Sequence, residues 1–256
     1  MNYSLDAVNV RLSGPENGTK VLLLHGWGGS TESWLPLERD LQKQKRVINI
    51  DFPGFGKSPE PEENWCVTEY AALTARLIGK YAPEGTDIIA HSFGGRVALM
   101  LNTLCPELIH RQVLTGCAGL IPKDGGASNA SSLKKLYDNG FTRRVLGDKG
   151  VGRIQNFVRS HFGSEDYKNA TPLMREVFKN VIAQDLDSYL DAVTAPTLLI
   201  WGENDTATPL WMGREMEKRM KDAALIVFED SGHFAYLQQY NRFYTIVRQF
   251  LCGTGE

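Results

Sequence analysis

Residues 88–95 read Ile-Ile-Ala-His-Ser-Phe-Gly-Gly: an apolar run stops on Ser92, with Ala90 two positions before it and Gly94 and Gly95 two and three after it. Small residues at these positions let the backbone turn sharply from strand to helix while presenting the serine hydroxyl. Larger side chains at Ala90, Gly94 or Gly95 would collide across the turn, and the serine itself is held in a strained conformation. Ser92 is therefore a candidate nucleophile. It is equally placed to cap a helix starting near Phe93. Ala90 stands where such elbows usually carry glycine, so the choice between the two roles depends on partners elsewhere in the chain.

Working outward, short apolar runs recur, each ending in a loop rich in Gly or Asp and mostly followed by a helix-like stretch, which is the pattern of βα units. Strands are predicted at 21–24, 47–50, 88–90, 113–115, 197–201 and 225–228, and helices at 34–42, 68–81, 93–104, 210–220 and 234–251. The strands are apolar on both faces, as in a parallel sheet covered on both sides. Pro196 suits a strand's first position, where no ladder donor is needed. The expected fold class is α/β, a mostly parallel doubly wound sheet with an inserted helical cap.

The insertion is predicted at 119–192, where β-branched runs give way to helical pieces broken by glycines, leaving 1–118 and 193–256 as the core domain. This segment is rich in Lys and Arg, including Arg143, Arg144, Arg153 and Arg159. A solvated surface accounts for such a charge bias, and a site steering anionic substrates is the sharper alternative.

The chain has 256 residues, 42% of them hydrophobic, enough for one substantial core. Lys and Arg number 28 against 30 Asp and Glu, a formal charge of -2, which gives no electrostatic reason to expect nucleic acid or an anionic membrane as partner. Cys66, Cys105, Cys117 and Cys252 are scattered, with no CxxC pair and no His at ligand spacing, so reduced thiols and no metal are expected. The first residues lack a basic start followed by an apolar core, and no apolar run has membrane-spanning length. A cytoplasmic location is the expectation; oligomeric state is not legible.

In open parallel sheets, functional groups gather in loops beyond the carboxyl ends of the strands. Four further loops carry unusual residues there: 25–30 (HGWGGS), 51–58 (DFPGFGKS), 202–206 (GENDT) and 229–234 (EDSGHF). A serine hydroxyl needs a base, and an imidazole base needs a carboxylate to fix its tautomer. Asp205 and His233 meet both position and order, with Glu203 and Asp230 as alternative acids. Chain order Ser92, Asp205, His233 is that of one known arrangement of the triad.

Through HGWGGS, DFPGFGKS, AHSFGGR, WGENDTATP and SGHF, in order over nearly its whole length, the chain resembles the α/β-hydrolase superfamily. The resemblance implies Ser92 as nucleophile, Asp205 as acid, His233 as base, and the backbone N–H groups of Trp27 and Phe93 as the oxyanion hole. It implies acyl transfer without cofactor or metal: a serine hydrolase of the carboxylesterase kind, cleaving the ester of a small, largely apolar substrate. Trp27, Phe93, Trp211 and Phe234 are the expected pocket residues.

Other roles are weighed beside these. His25 is expected to brace the oxyanion loop, Asp51 to shape a tight turn, His91 to point away by strand alternation as a packing or gating residue, and His110 and His161 to lie on the surface. Neither glycine loop has the ending or spacing of a phosphate-binding loop. A serine disfavours the dehalogenases and epoxide hydrolases that resemble this scaffold. Carbon–carbon-bond hydrolases and a menaquinone-pathway-type lyase share the triad, and the latter would use Arg96 and the cap arginines to hold an anionic substrate. A non-catalytic ligand receptor is the reading from outside enzymology.

Overall fold

A computed structural model of the chain describes residues 3–121 and 170–252. Its centre is a seven-stranded sheet in the order β1-β3-β2-β4-β5-β6-β7. The strands are β1 (Val10–Ser13), β2 (Lys20–Leu24), β3 (Arg46–Ile50), β4 (Thr86–His91), β5 (Ile109–Thr115), β6 (Thr197–Gly202) and β7 (Ala223–Phe228). β1 runs antiparallel to β3, and all other neighbours are parallel.

The alternation of apolar side chains explains why this sheet is covered twice. Val21, Leu23, Val47, Ile89, Val113 and Ile200 face one layer, where they pack with α1 (Leu35–Leu41) and a C-terminal helix pair, α6 (Ala235–Gln238) and α7 (Tyr240–Cys252). Leu22, Leu24, Ile48, Ile50, Ile88 and Leu114 face the other, against α2 (Val67–Tyr81), α3 (Phe93–Leu104) and α5 (Leu210–Arg219). Every residue of β4 is buried, as a strand at the middle of such a sheet requires.

All five predicted helices are present, 93–104 with the expected bounds and the other four with altered ones. The stretch 34–42 begins as a 3-10 turn, Thr31–Trp34, before α1. The stretch 234–251 is broken after Gln238 into α6 and α7. β1 escapes the sequence reading because Val-Arg-Leu-Ser is half polar, and as an edge strand it is only partly buried.

Of the predicted insertion 119–192, residues 122–169 lie outside the described residues, and with them Arg143, Arg144, Arg153, Arg159 and His161. α4 (Pro172–Ala183), capped by the Thr171 side chain on Met174 N–H, is described, as is the 3-10 turn Asp187–Ala192. Met174, Val177, Val181, Leu186 and Leu190 from this stretch join the cluster beneath α2 and α3.

The register positions the site. Leu24 pairs with Ile50 and Ala90, His91 with Thr115, and Gly202 with Phe228. The parallel strands thus end at one level, and the loops that follow them meet along one edge.

Candidate active site

Ser92 lies between β4 and α3 with φ 49° and ψ −105°. Only two non-glycine residues among those described have positive φ, Ser92 and Asp230, and both sit in this loop cluster. Such a conformation costs about 1–3 kcal/mol and persists because its surroundings hold it. Ser92 N–H donates to Thr115 O (3.1 Å), and Ser92 O accepts from Ala118 N–H (3.2 Å), Gly95 N–H (3.0 Å) and Arg96 N–H (3.3 Å). The small residues do what the sequence suggested. A Cβ on Gly94 would lie 2.8 Å from the Leu24 carbonyl carbon and 2.9 Å from His25 O, so only glycine lets α3 approach β2 this closely. Ala90 is fully buried in the strand, where its methyl group is accommodated.

The capping alternative for Ser92 is settled by its side chain, which makes no capping hydrogen bond. The hydroxyl is therefore not spent on the helix. Phe93 occupies the first position of α3, where an amide N–H has no intrahelical acceptor and the helix dipole favours negative charge. Gly26 brings the loop after β2 alongside, since a Cβ there would sit 3.5 Å from Ser92 Cβ. Trp27, the next residue, packs its ring 5.4 Å from that of Phe93.

The loops after β6 and β7 are tied together by Asn204 N–H donating to Ser231 O (2.8 Å). This brings His233 Nδ1 to 2.9 Å from Asp205 Oδ2, with Asp205 itself almost wholly buried. Asp205 Oδ1 accepts the N–H groups of Ala207 and Thr208, both at 2.9 Å. The Thr208 hydroxyl lies 2.8 Å from Asp205 Oδ2, 3.1 Å from Gly116 O and 3.2 Å from His233 Nδ1, and its one proton can serve only one acceptor at a time. Gly116, next after the Thr115 that holds Ser92, is close enough that a Cβ there would be 3.2 Å from both Asp205 Oδ2 and His233 Nδ1. Ser92, Asp205 and His233 are thereby gathered at one end of the sheet. Glu203 and Asp230, the alternative acids, are exposed, and Glu203 Oε2 accepts from Asp230 N–H at 3.4 Å.

The supporting histidines differ from one another. His25 is fully buried, with Nδ1 2.7 Å from Gly26 O and Nε2 accepting from Phe52 N–H at 3.0 Å, which makes Nδ1 the protonated nitrogen. Burial pushes it down to about 4, against the opposing pull of the Gly26 carbonyl and Asp51. It thus braces the loop after β2 as a neutral ring. Asp51 gathers Asn9 Nδ2 (2.7 Å) and the N–H groups of Lys57 (2.8 Å) and Thr31 (2.5 Å), tying the loop after β3 to the one after β2. His91 ends β4 directly before Ser92, and its ring comes to rest against that of His233. His110 is exposed, with Nε2 3.0 Å from Glu84 O.

Aromatic rings cluster around these loops. Trp27 packs on Phe55 (4.8 Å between centroids) and on Phe178 of α4 (5.0 Å), and Phe93 lies 5.1 Å from Phe52. Phe234, 51% exposed, leans on His91 (5.2 Å) and His233 (5.4 Å). Trp211 opens α5 and is 39% exposed. Phe55 and Phe178 lie outside the pocket residues expected from sequence. Phe178 reaches the site only through the tertiary fold, whereas Phe55 sits in a glycine loop that did carry a signal.

Arg96, a candidate anion ligand in the sequence reading, is buried, and its Nη1 donates to Val181 O (3.0 Å) and Gln184 O (2.8 Å) at the end of α4. Burial lowers it to about 10, so it stays charged at neutral pH. Its charge is directed at the carboxyl end of a helix, where cations are stabilising. The Cys117 thiol is buried and pushed up to about 12, which leaves it protonated and unreactive. All four cysteines are free. Among the described residues, no group of three or more His, Cys, Asp or Glu could hold a metal ion, and no helix is long and apolar enough to cross a membrane.

The chain is 28% identical to a 2-hydroxymuconate semialdehyde hydrolase from Pseudomonas sp. (strain CF600), over 91% of this chain and 87% of the relative. It is 26% identical to a pimeloyl-[acyl-carrier protein] methyl ester esterase from Neisseria meningitidis serogroup B, over 95% of this chain and 96% of the relative. Its fold matches the crystal structure of an alpha/beta hydrolase enzyme from a Medee basin deep-sea metagenome library, with TM-score 0.74 and 19% identity over 97% of this chain and 95% of that one. The model of the Alpha/beta hydrolase family matches residues 21–245, and the chain belongs to that family.

Proposed function

We propose that the protein is a serine hydrolase that cleaves the carboxylic ester of a small, largely apolar substrate. The observation that carries this reading is a strained Ser92, its hydroxyl unspent on the helix cap, in one loop cluster with a His233 whose Nδ1 faces a buried Asp205. Asp205 holds the Nδ1–H tautomer of His233 and leaves Nε2 to accept the Ser92 proton. The Ser92 oxygen adds to the ester carbonyl, and the oxyanion forms against the N–H groups of Trp27 and Phe93. Collapse breaks the carbon–oxygen bond, and His233 returns the proton to the departing alcohol. Water, deprotonated by His233, then releases the acid from the acyl-enzyme and regenerates Ser92. The partly exposed rings of Trp27, Phe55 and Phe234 supply the apolar surface for the substrate.

A second reading, hydrolysis of a carbon–carbon bond, draws on the likeness to the 2-hydroxymuconate semialdehyde hydrolase. It uses the same three residues. A panel of p-nitrophenyl esters of increasing acyl length, run beside a vinylogous 1,5-diketone acid, separates the two. The ester reading expects the short and medium esters to have the higher kcat/KM. A kcat/KM higher for the diketone would replace it with the second reading, and turnover of neither substrate would point to a receptor.

A further inference from the structure

We infer that His91 is a positioning residue: its Nε2–H, donated to the His233 carbonyl, fixes the base relative to the nucleophile one residue away. The inference rests on the proposed catalytic roles of Ser92 and His233. His91 Nε2 lies 3.0 Å from His233 O. A carbonyl can only accept, so Nε2 carries a proton. His91 is the last residue of β4 and Ser92 follows it directly, so this single bond joins the nucleophile's strand to the loop after β7.

The ring adds three contacts. It lies 4.6 Å from the ring of His233, 5.2 Å from Phe234 and 4.9 Å from Tyr236, wedged under the whole turn that carries the base. On its other side, Gly26 is close enough that a Cβ there would come within 2.8 Å of His91 Nδ1. His91 therefore touches the loop of the base and the loop proposed to supply an oxyanion donor, while leading into the nucleophile. Burial, with His233 nearby, holds the ring far below its ordinary protonation range, which keeps a second cation from forming beside the base. A neutral donor with one N–H is what the His233 carbonyl needs; nothing in the proposed chemistry requires His91 to exchange a proton.

Two substitutions separate the hydrogen bond from the ring. His91→Gln places an amide N–H where Nε2 stands and removes the ring. His91→Phe keeps a ring and removes the donor. If the bond positions the base, His91→Phe lowers kcat about 10- to 100-fold at unchanged KM, the range expected when a reacting group is displaced by about an ångström. His91→Gln restores most of that loss. A His91→Phe enzyme with wild-type kcat, or a His91→Gln enzyme no better than His91→Phe, overturns the inference. Should either variant fail to fold, nitrogen-15 NMR of histidine-labelled wild-type protein decides: His91 is expected as the neutral Nε2–H tautomer throughout the folded pH range, and an Nδ1–H tautomer refutes the positioning bond. That spectrum needs no substrate, so it is independent of whether the protein hydrolyses esters.

Discussion

Replacing Asp205 by asparagine should leave the fold intact while almost abolishing turnover, because the amide fits every contact of the carboxylate except one. In Asp205→Asn the amide oxygen can keep the two bonds that Asp205 Oδ1 accepts from Ala207 and Thr208 N–H, each 2.9 Å in the native protein. The amino group then replaces Oδ2. The Thr208 hydroxyl accommodates this by turning its proton to Gly116 O, already 3.1 Å away, and accepting from the new N–H. His233 cannot accommodate it without changing tautomer, since Nδ1, 2.9 Å from Oδ2, must become an acceptor. The ring proton then moves to Nε2, which can no longer take a proton from Ser92. Loss of the productive tautomer is worth about 10⁴-fold in kcat in triads of this kind. Exchanging charge-assisted bonds for neutral ones costs about 1–2 kcal/mol of stability. Steady-state hydrolysis of a p-nitrophenyl ester and urea unfolding of the same preparation measure both. A loss of activity under tenfold would refute the reasoning and give the acid's role to Glu203 or Asp230; an unfolded variant would refute the claim that the amide fits.

Arg96→Met leaves Val181 O and Gln184 O without their buried donor, which at about 1–3 kcal/mol for each abandoned group predicts a loss of about 2–6 kcal/mol in urea unfolding. KM for the ester should rise as well, because α4 carries Phe178 against Trp27; wild-type stability would contradict the helix-end role. His25, held neutral in the fold to about pH 4, takes a proton more readily when unfolded, near its ordinary 6.5. The unfolded state therefore binds more protons between these values, and stability falls as pH drops from about 6.5 to about 4, by about 3 kcal/mol for this group. Comparing the pH dependence of unfolding for the wild type and His25→Gln isolates that share, and parallel curves would contradict it.

The sheet interior was legible because its strands are apolar on both faces, so 21–24, 47–50 and 197–201 announce themselves without partners. β1 was not, since a half-polar edge strand becomes a strand only by pairing with β3. At the site, Ser92, Asp205 and His233 could be ordered from sequence because each follows a strand end. Their common level, set by pairs such as Leu24 with Ala90 and His91 with Thr115, is a property of the assembled sheet. His91 shows the limit of local reasoning. Alternation predicts only that it points away from Ser92, and the contact of its ring with His233 is made by the tertiary fold. Arg96 looked like an anion ligand by charge alone, and its acceptors, Val181 O and Gln184 O, lie more than eighty residues away.

The proposed chemistry rests most directly on the reactivity of Ser92. Treating the folded protein with a fluorophosphonate and mapping the adduct by peptide mass spectrometry should place the label on Ser92, with no labelling in Ser92→Ala and slow labelling in His233→Ala. An unlabelled native protein, a label on another residue, or equal labelling of the His233→Ala variant would contradict it.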